Sequence, residues 1–147
     1  MEVPMVKAAI LALSAGAGLA LATGAVAALT PVDLLKGYEA SARQDTSSFT
    51  GFSVERGRAF FQSTHGNEWS CASCHTQNPA ASGRHAKTSK AIAPLAPAAN
   101  PERFTRTAEA ETWFKRNCND VLGRACTAQE KGDVLAYLMQ ITAGGGR

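Results

Sequence analysis

Cys71-Ala72-Ser73-Cys74-His75 places two thiols three residues apart with a histidine immediately after them, and this run decides how the rest of the chain is read. Thiols at this spacing can add to the two vinyl groups of one haem, while the adjacent imidazole is held beneath the iron as its proximal ligand. The other chemistries open to a Cys-x-x-Cys pair need different surroundings. A thioredoxin-like redox pair wants a strand before it and a helix after it, and zinc wants a second cluster of Cys or His nearby. The sequence offers neither context. Cys71 and Cys74 are therefore read as covalent attachment points for haem c, with His75 as the proximal iron ligand. One such run means one haem.

The start of the chain fits that chemistry. Lys7 supplies a positive leader, Ala8 to Ala22 is an almost uninterrupted run of Ala, Leu, Ile and Gly, and Ala25-Val26-Ala27 is a small-x-small cleavage site. The spacing predicts a cleaved signal peptide over 1–27 and a cytochrome domain over 28–147. The apolar run is nearly long enough to remain as an anchor, but its Ala and Gly richness favours removal, with no stable membrane insertion afterwards. Export to the periplasm, an oxidising compartment, is the expectation.

Removing residues 1–27 of the 147 leaves 120, enough for one domain around a single core. The formal charge of +3 is small, and two haem propionates would offset most of it. It gives no argument for nucleic acid as a partner, although a local basic face can still steer docking.

Four helices and two loops are expected in the mature chain. Thr30 before Pro31 signals a helix from Pro31 to about Ala42, with Val32, Leu34, Leu35 and Tyr38 as apolar contacts. Gln44 to Thr50 reads as a polar linker. Ser53 can cap a second helix, Val54 to about Ser63, whose Gly57 costs helix stability and is explained if another helix crosses there. A third helix reads from Ala108 to about Asn117. Thr127-Ala128-Gln129-Glu130 is a capping box before the stripe Val134, Leu135, Leu138 and Ile141, and Gly144 to Gly146 end that helix. An early helix meeting the last one at a glycine, with the Cys-x-x-Cys-His run just after the former, looks like the class I cytochrome c fold. The fold class is thus all-α, around one covalently attached haem. The long irregular segment from His75 to the third helix would travel around the haem edge, with Ile92, Pro94, Leu95 and Pro97 as apolar covers.

The sixth iron ligand departs from the common pattern. The sole mature-chain methionine, Met139, lies within the last helix, where packing is its expected role. The other candidates are His85, His65, a lysine, Asn117 or an open position. His85 follows His75 by ten residues, and an extended ten-residue segment reaches about 33 Å, so distance does not exclude it. Ala110, Trp113, Phe114 and Asn117 share one helical face, which can aim an asparagine into an apolar pocket; equally, a helix-terminal asparagine can make local hydrogen bonds. Cys118 and Cys126, left over after haem attachment in an oxidising compartment, are expected to pair.

The run Trp113-Phe114-Lys115-Arg116-Asn117-Cys118-Asn119-Asp120-Val121-Leu122-Gly123-Arg124-Ala125-Cys126-Thr127, with Glu130-Lys131 following, resembles the SHP-type cytochromes c. The likeness extends through Ile92-Ala93-Pro94-Leu95-Ala96-Pro97 and Pro101-Glu102-Arg103-Phe104-Thr105 to the haem motif and to Gly37-Tyr38-Glu39. It implies Asn117 as distal ligand of the oxidised iron, beside a Cys118–Cys126 disulfide. It also implies transient oxygen binding and electron supply from a dihaem cytochrome c. An amide is a weak ligand for ferrous iron, so reduction should free the position for O₂, NO or CO. The alternatives are a low-potential bis-histidine carrier using His85, without gas binding, and an enzyme that reduces oxygen or NO.

Overall fold

The computed structural model describes residues 29–144. The export segment expected over residues 1–27 lies outside them. Helix α1, Pro31–Asp45, starts at a capping box: the Asp33 amide donates to Thr30 Oγ1 (3.2 Å), and Asp33 Oδ2 accepts from the Thr30 amide (3.0 Å). Leu34, Tyr38 and Ala42 recur every four residues and are buried, whereas Val32 is 46% exposed and makes none of the contact expected of it. Position decides this, because Val32 falls two residues from Leu34 and so on the opposite side of the helix. The expected linker is also less polar than its composition, since Phe49 is buried edge-on against Phe52.

Helix α2, Val54–Gln62, is capped by Ser53, and α5, Ala128–Gln140, by the Thr127–Glu130 box. These two helices cross at Gly57. A Cβ there would lie 1.9 Å from the Asp133 carbonyl oxygen, so only glycine admits this approach. Asp133, itself buried, accepts from the Ser53 amide (2.7 Å) and from Arg56 Nε (2.8 Å), which fastens the start of α2 to α5. Phe61 and Leu138 are fully buried in the cluster beside the crossing, and Leu135 is fully buried against Leu34 and Tyr38 of α1, each worth about 2 kcal/mol of apolar burial. α5 ends at Gln140, short of the glycines expected to stop it.

Three elements were not foreseen. The haem motif itself forms a short helix α3, Cys71–His75, capped by Ser70. Strands β1, Gly83–Arg84, and β2, Ala91–Ile92, pair antiparallel inside the irregular segment. The remaining helix, α4, spans Thr107–Leu122 and so continues past Asn117 through Cys118. Asn117 is therefore an interior helical residue, and the helix stops where Gly123 takes φ 71°. Among the described residues no helix is long and apolar enough to cross a membrane.

Candidate haem site

One cavity of about 510 Å³ runs between α3, the inward face of α4, and the chain between them. Cys71, Cys74 and His75 border it from α3, and Ala110, Trp113, Phe114 and Asn117 border it from α4. The 3.6-residue repeat explains the second set, since these four positions lie on one side of the helix. Phe61, Val134 and Leu138 close the wall nearest the core, and Ile92 and Leu95 line it from the irregular segment. Pro94 and Pro97, expected as covers, are not on the wall. The Pro94 carbonyl is instead held by Arg103 and Asn100.

The chemistry of the donor set fits a haem joined by thioethers. Cys71 and Cys74 are free thiols, whereas Cys118 and Cys126 are joined by a disulfide. Burial pushes the Cys71 thiol up to about 11, and the Ala86 amide donates to Cys74 Sγ (3.3 Å). Burial, with Arg103 second, pushes His75 down to about 4. The imidazole is then neutral near pH 7, the form that binds a metal. Its ring packs against Phe61, with centroids 6.5 Å apart, and Phe61 packs against Tyr137.

The candidates for the position opposite His75 are sorted by where their side chains lie. His65 is away from the cavity wall: its Nε2 donates to the Phe60 carbonyl (2.9 Å) and its ring stacks on Phe60. Met139 packs against the cluster of Leu34, Tyr38, Ala110 and Leu135. His85 does border the cavity, but from the hairpin beside Cys74, and its Nδ1 accepts from the Thr88 amide (3.2 Å). Lys87 and Lys90 lie on the rim, Lys87 over the Trp69 ring at 4.5 Å. Asn117 borders the cavity from the middle of a regular helix, one residue before the disulfide.

Sequence reasoning gave no role to Trp69, Arg103 or Phe104, all on the wall. No periodicity marks them, because they stand in irregular chain. The one available signal was the Arg103-Phe104 pair following Pro101, a charged and an aromatic residue together in a segment otherwise rich in Ala and Pro.

Residues 47–138 match a family described as Domain of unknown function (DUF1924). The cytochrome c-type protein SHP of Cereibacter sphaeroides is 45% identical over 113 residues, covering 74% of this chain and 82% of that protein. The structure of oxidized SHP, described as an oxygen binding cytochrome c, superposes with a TM-score of 0.67 at 44% identity, covering 76% of this chain and 97% of the other. The solution structure of Methylophilus methylotrophus cytochrome c'', concerned with haem-ligand detachment, gives 0.64 at 38% identity over 75% and 92% of the two chains. A helical fold with a glycine crossing, a cavity bordered by two free thiols and a neutral imidazole, and identity sustained over most of both chains lead to one family: the chain belongs to the SHP-type cytochromes c, with one covalently bound haem c.

Proposed function

We propose that the protein is a periplasmic electron-accepting cytochrome that binds a diatomic gas when reduced, with Asn117 as the ligand that leaves. The observation that carries this is the presence of Asn117 on the same cavity wall as Phe114 and Trp113, while Met139 and His65 are engaged elsewhere. Bound haem supplies a one-electron centre and an iron whose sixth position takes O₂, NO or CO in the reduced state. Cys71 and Cys74 give their sulfurs to the thioether links. His75 offers a neutral imidazole, kept so by burial. Asn117 offers a neutral carboxamide, a weak donor that dissociates with little cost and leaves no charge behind. Ala110, Phe114 and Val121 supply apolar neighbours on that side, where Glu109, Arg116 and Asp120 also border the cavity.

Oxygen binding in SHP and haem-ligand detachment in cytochrome c'' both support the reading. The electron donor in this reading is a dihaem cytochrome c or a similar carrier. The second reading, a bis-histidine carrier, draws on His85, which also borders the cavity.

Optical spectra of oxidised and reduced protein, with and without CO, decide between them. The ferric wild type should be six-coordinate and the dithionite-reduced form five-coordinate and high-spin, taking up CO at once. Asn117→Ala should change the ferric spectrum and leave the ferrous one nearly as it was. His85→Ala should change neither. A reduced spectrum that stays low-spin and ignores CO, opened by His85→Ala, would replace the gas binder with the carrier.

A further inference from the structure

Arg103 borders the cavity without a carboxylate of the protein to answer its charge. None of the ion pairs among the described residues includes it. The other cations on the wall are differently placed: Arg106 pairs with Glu109, Lys87 lies over Trp69, Arg116 lies over Trp113, and Lys90 is exposed just before β2. Arg103 is half-buried, and one edge of its guanidinium is already committed. Nε donates to the Pro94 carbonyl (3.1 Å) and Nη2 to the Ala93 carbonyl (3.0 Å). A guanidinium has five N–H donors in a planar fork, so the Nη1 side remains for a further acceptor.

The backbone is bent to make this placement. Phe104, a bulky residue, sits at φ 61°, a conformation that costs on the order of 1–2 kcal/mol for an L side chain. Both neighbours border the cavity, Phe104 with its ring against Phe114, centroids 6.4 Å apart, and Arg103 with its guanidinium on the 93–94 carbonyls. A cation bordering a largely apolar space needs an anion, and a planar fork matches a carboxylate. Haem brings two carboxylates.

We propose that Arg103 is a positioning residue that receives a haem propionate on its free guanidinium edge while its other edge holds the Ala93 and Pro94 carbonyls, and that its charge raises the haem reduction potential. The inference rests on the reading of Cys71, Cys74 and His75 as the haem-holding residues. A positive charge close to the redox centre favours the electron-rich state. Removing it leaves the propionate charge unanswered and favours the oxidised state. The same residue thereby links the fold of the haem-edge segment to the ease with which the sixth ligand is released.

The test is potentiometric titration of the purified holoprotein, after acid–acetone extraction has shown covalent haem in every sample. Arg103→Gln should shift the midpoint to lower potential, and Arg103→Lys should shift it less, since the charge is kept and the fork lost. Arg43→Gln, which removes an exposed cation of α1 that is paired with Glu39 and lies off the cavity wall, should titrate close to wild type. The propionate bending mode in the resonance Raman spectrum should move in both Arg103 variants. A wild-type midpoint in Arg103→Gln, or an equal shift in Arg43→Gln, overturns the proposal. If Arg103→Gln yields no holoprotein, an unmoved propionate mode in Arg103→Lys overturns it. Extractable haem in the wild type would instead overturn the underlying reading, and the extraction step reports that separately.

Discussion

On the side of His75 the cavity rests on the closest helix packing among the described residues, α2 crossing α5 at Gly57 with Phe61, Val134 and Leu138 fully or nearly fully buried, whereas on the side of Asn117 it is walled by α4, whose contacts with other helices are sparser. α4 is secured at few points: Ala110 in the core, Phe114 edge-on to Tyr38, the Cys118–Cys126 disulfide, Asn67 Nδ2 donating to the Val121 carbonyl (2.9 Å), and Lys131 Nζ of α5 donating to Glu111 Oε2 (2.6 Å). The packed side can hold a ligand in one geometry through both oxidation states. The tethered side keeps a helix in place while leaving the side chains on its inward face room to move. A fixed ligand and an exchangeable one ask for these two kinds of wall.

The largest effects should come from breaking the packed side. Cys71→Ala with Cys74→Ala should abolish covalent haem, so that acid–acetone extraction leaves an uncoloured polypeptide, while haem that remained attached would refute the assignment of the two thiols. Next is Gly57→Ala. Its Cβ would meet the Asp133 carbonyl at 1.9 Å, and backbone on both helices must separate to admit it. A cost of about 3 kcal/mol is expected in denaturant unfolding of the holoprotein. A loss under about 1 kcal/mol would show the crossing to be more compliant than its geometry.

The packed side was the more legible half in the sequence, and the reason is physical. Capping boxes, the Pro31 start, Gly57 and the α5 stripe are local signals whose cause and effect lie within a few residues. The far end of α4 was misjudged because Asn117, Asn119 and Asp120 are poor helix formers, and packing through Cys118 and Val121 outweighs their preference. Gly123, the true stop, was readable in hindsight by its type alone. The two-residue strands and the five-residue α3 were not legible, since elements so short have no period. Arg103 was invisible as a site residue because its partners, the Ala93 and Pro94 carbonyls, are ten and nine residues away in irregular chain.

The tethered side should yield smaller changes. Cys118→Ala with Cys126→Ala should cost about 2–3 kcal/mol by releasing the loop between them, and peptide mapping without reductant should show the two residues of the wild type in one cross-linked fragment. If the tether is what holds Asn117, the ferric spectrum of this variant should shift toward that of Asn117→Ala while covalent haem is retained. An unchanged ferric spectrum would mean that α4 is held chiefly by Ala110 and Phe114, and the contrast between the two sides would narrow.

The smallest effect concerns the polar clasp just beyond the disulfide. Glu130 accepts from the Thr127 amide (2.8 Å) and from Arg124 Nη1 and Nη2 (2.8 and 2.7 Å), so one carboxylate joins the disulfide loop to the start of α5. The Arg124 hydrogen bond is the leading reason that its pKa lies below the ordinary 4.5, with the Thr127 amide and the Arg124 charge adding to it against burial. A depressed folded value means that the clasp contributes in full above the unfolded pKa and is lost as the pH falls through the folded one. Glu130→Gln keeps a side chain that can cap the helix and removes only the charge. Because Arg124 reaches Glu130 from a side chain that is 53% exposed to solvent, the expected loss at pH 7 is under about 1 kcal/mol and shrinks further with salt. The decisive measurement is the stability gap between the two proteins from pH 7 down to about pH 3 at low ionic strength. The gap should close in acid, where the wild-type carboxylate gains its proton and comes to resemble the amide. No gap at any pH would mean that the side chain acts through its cap alone, leaving the disulfide, Asn67 and the Lys131–Glu111 pair as the polar and covalent ties that hold the Asn117 side in place.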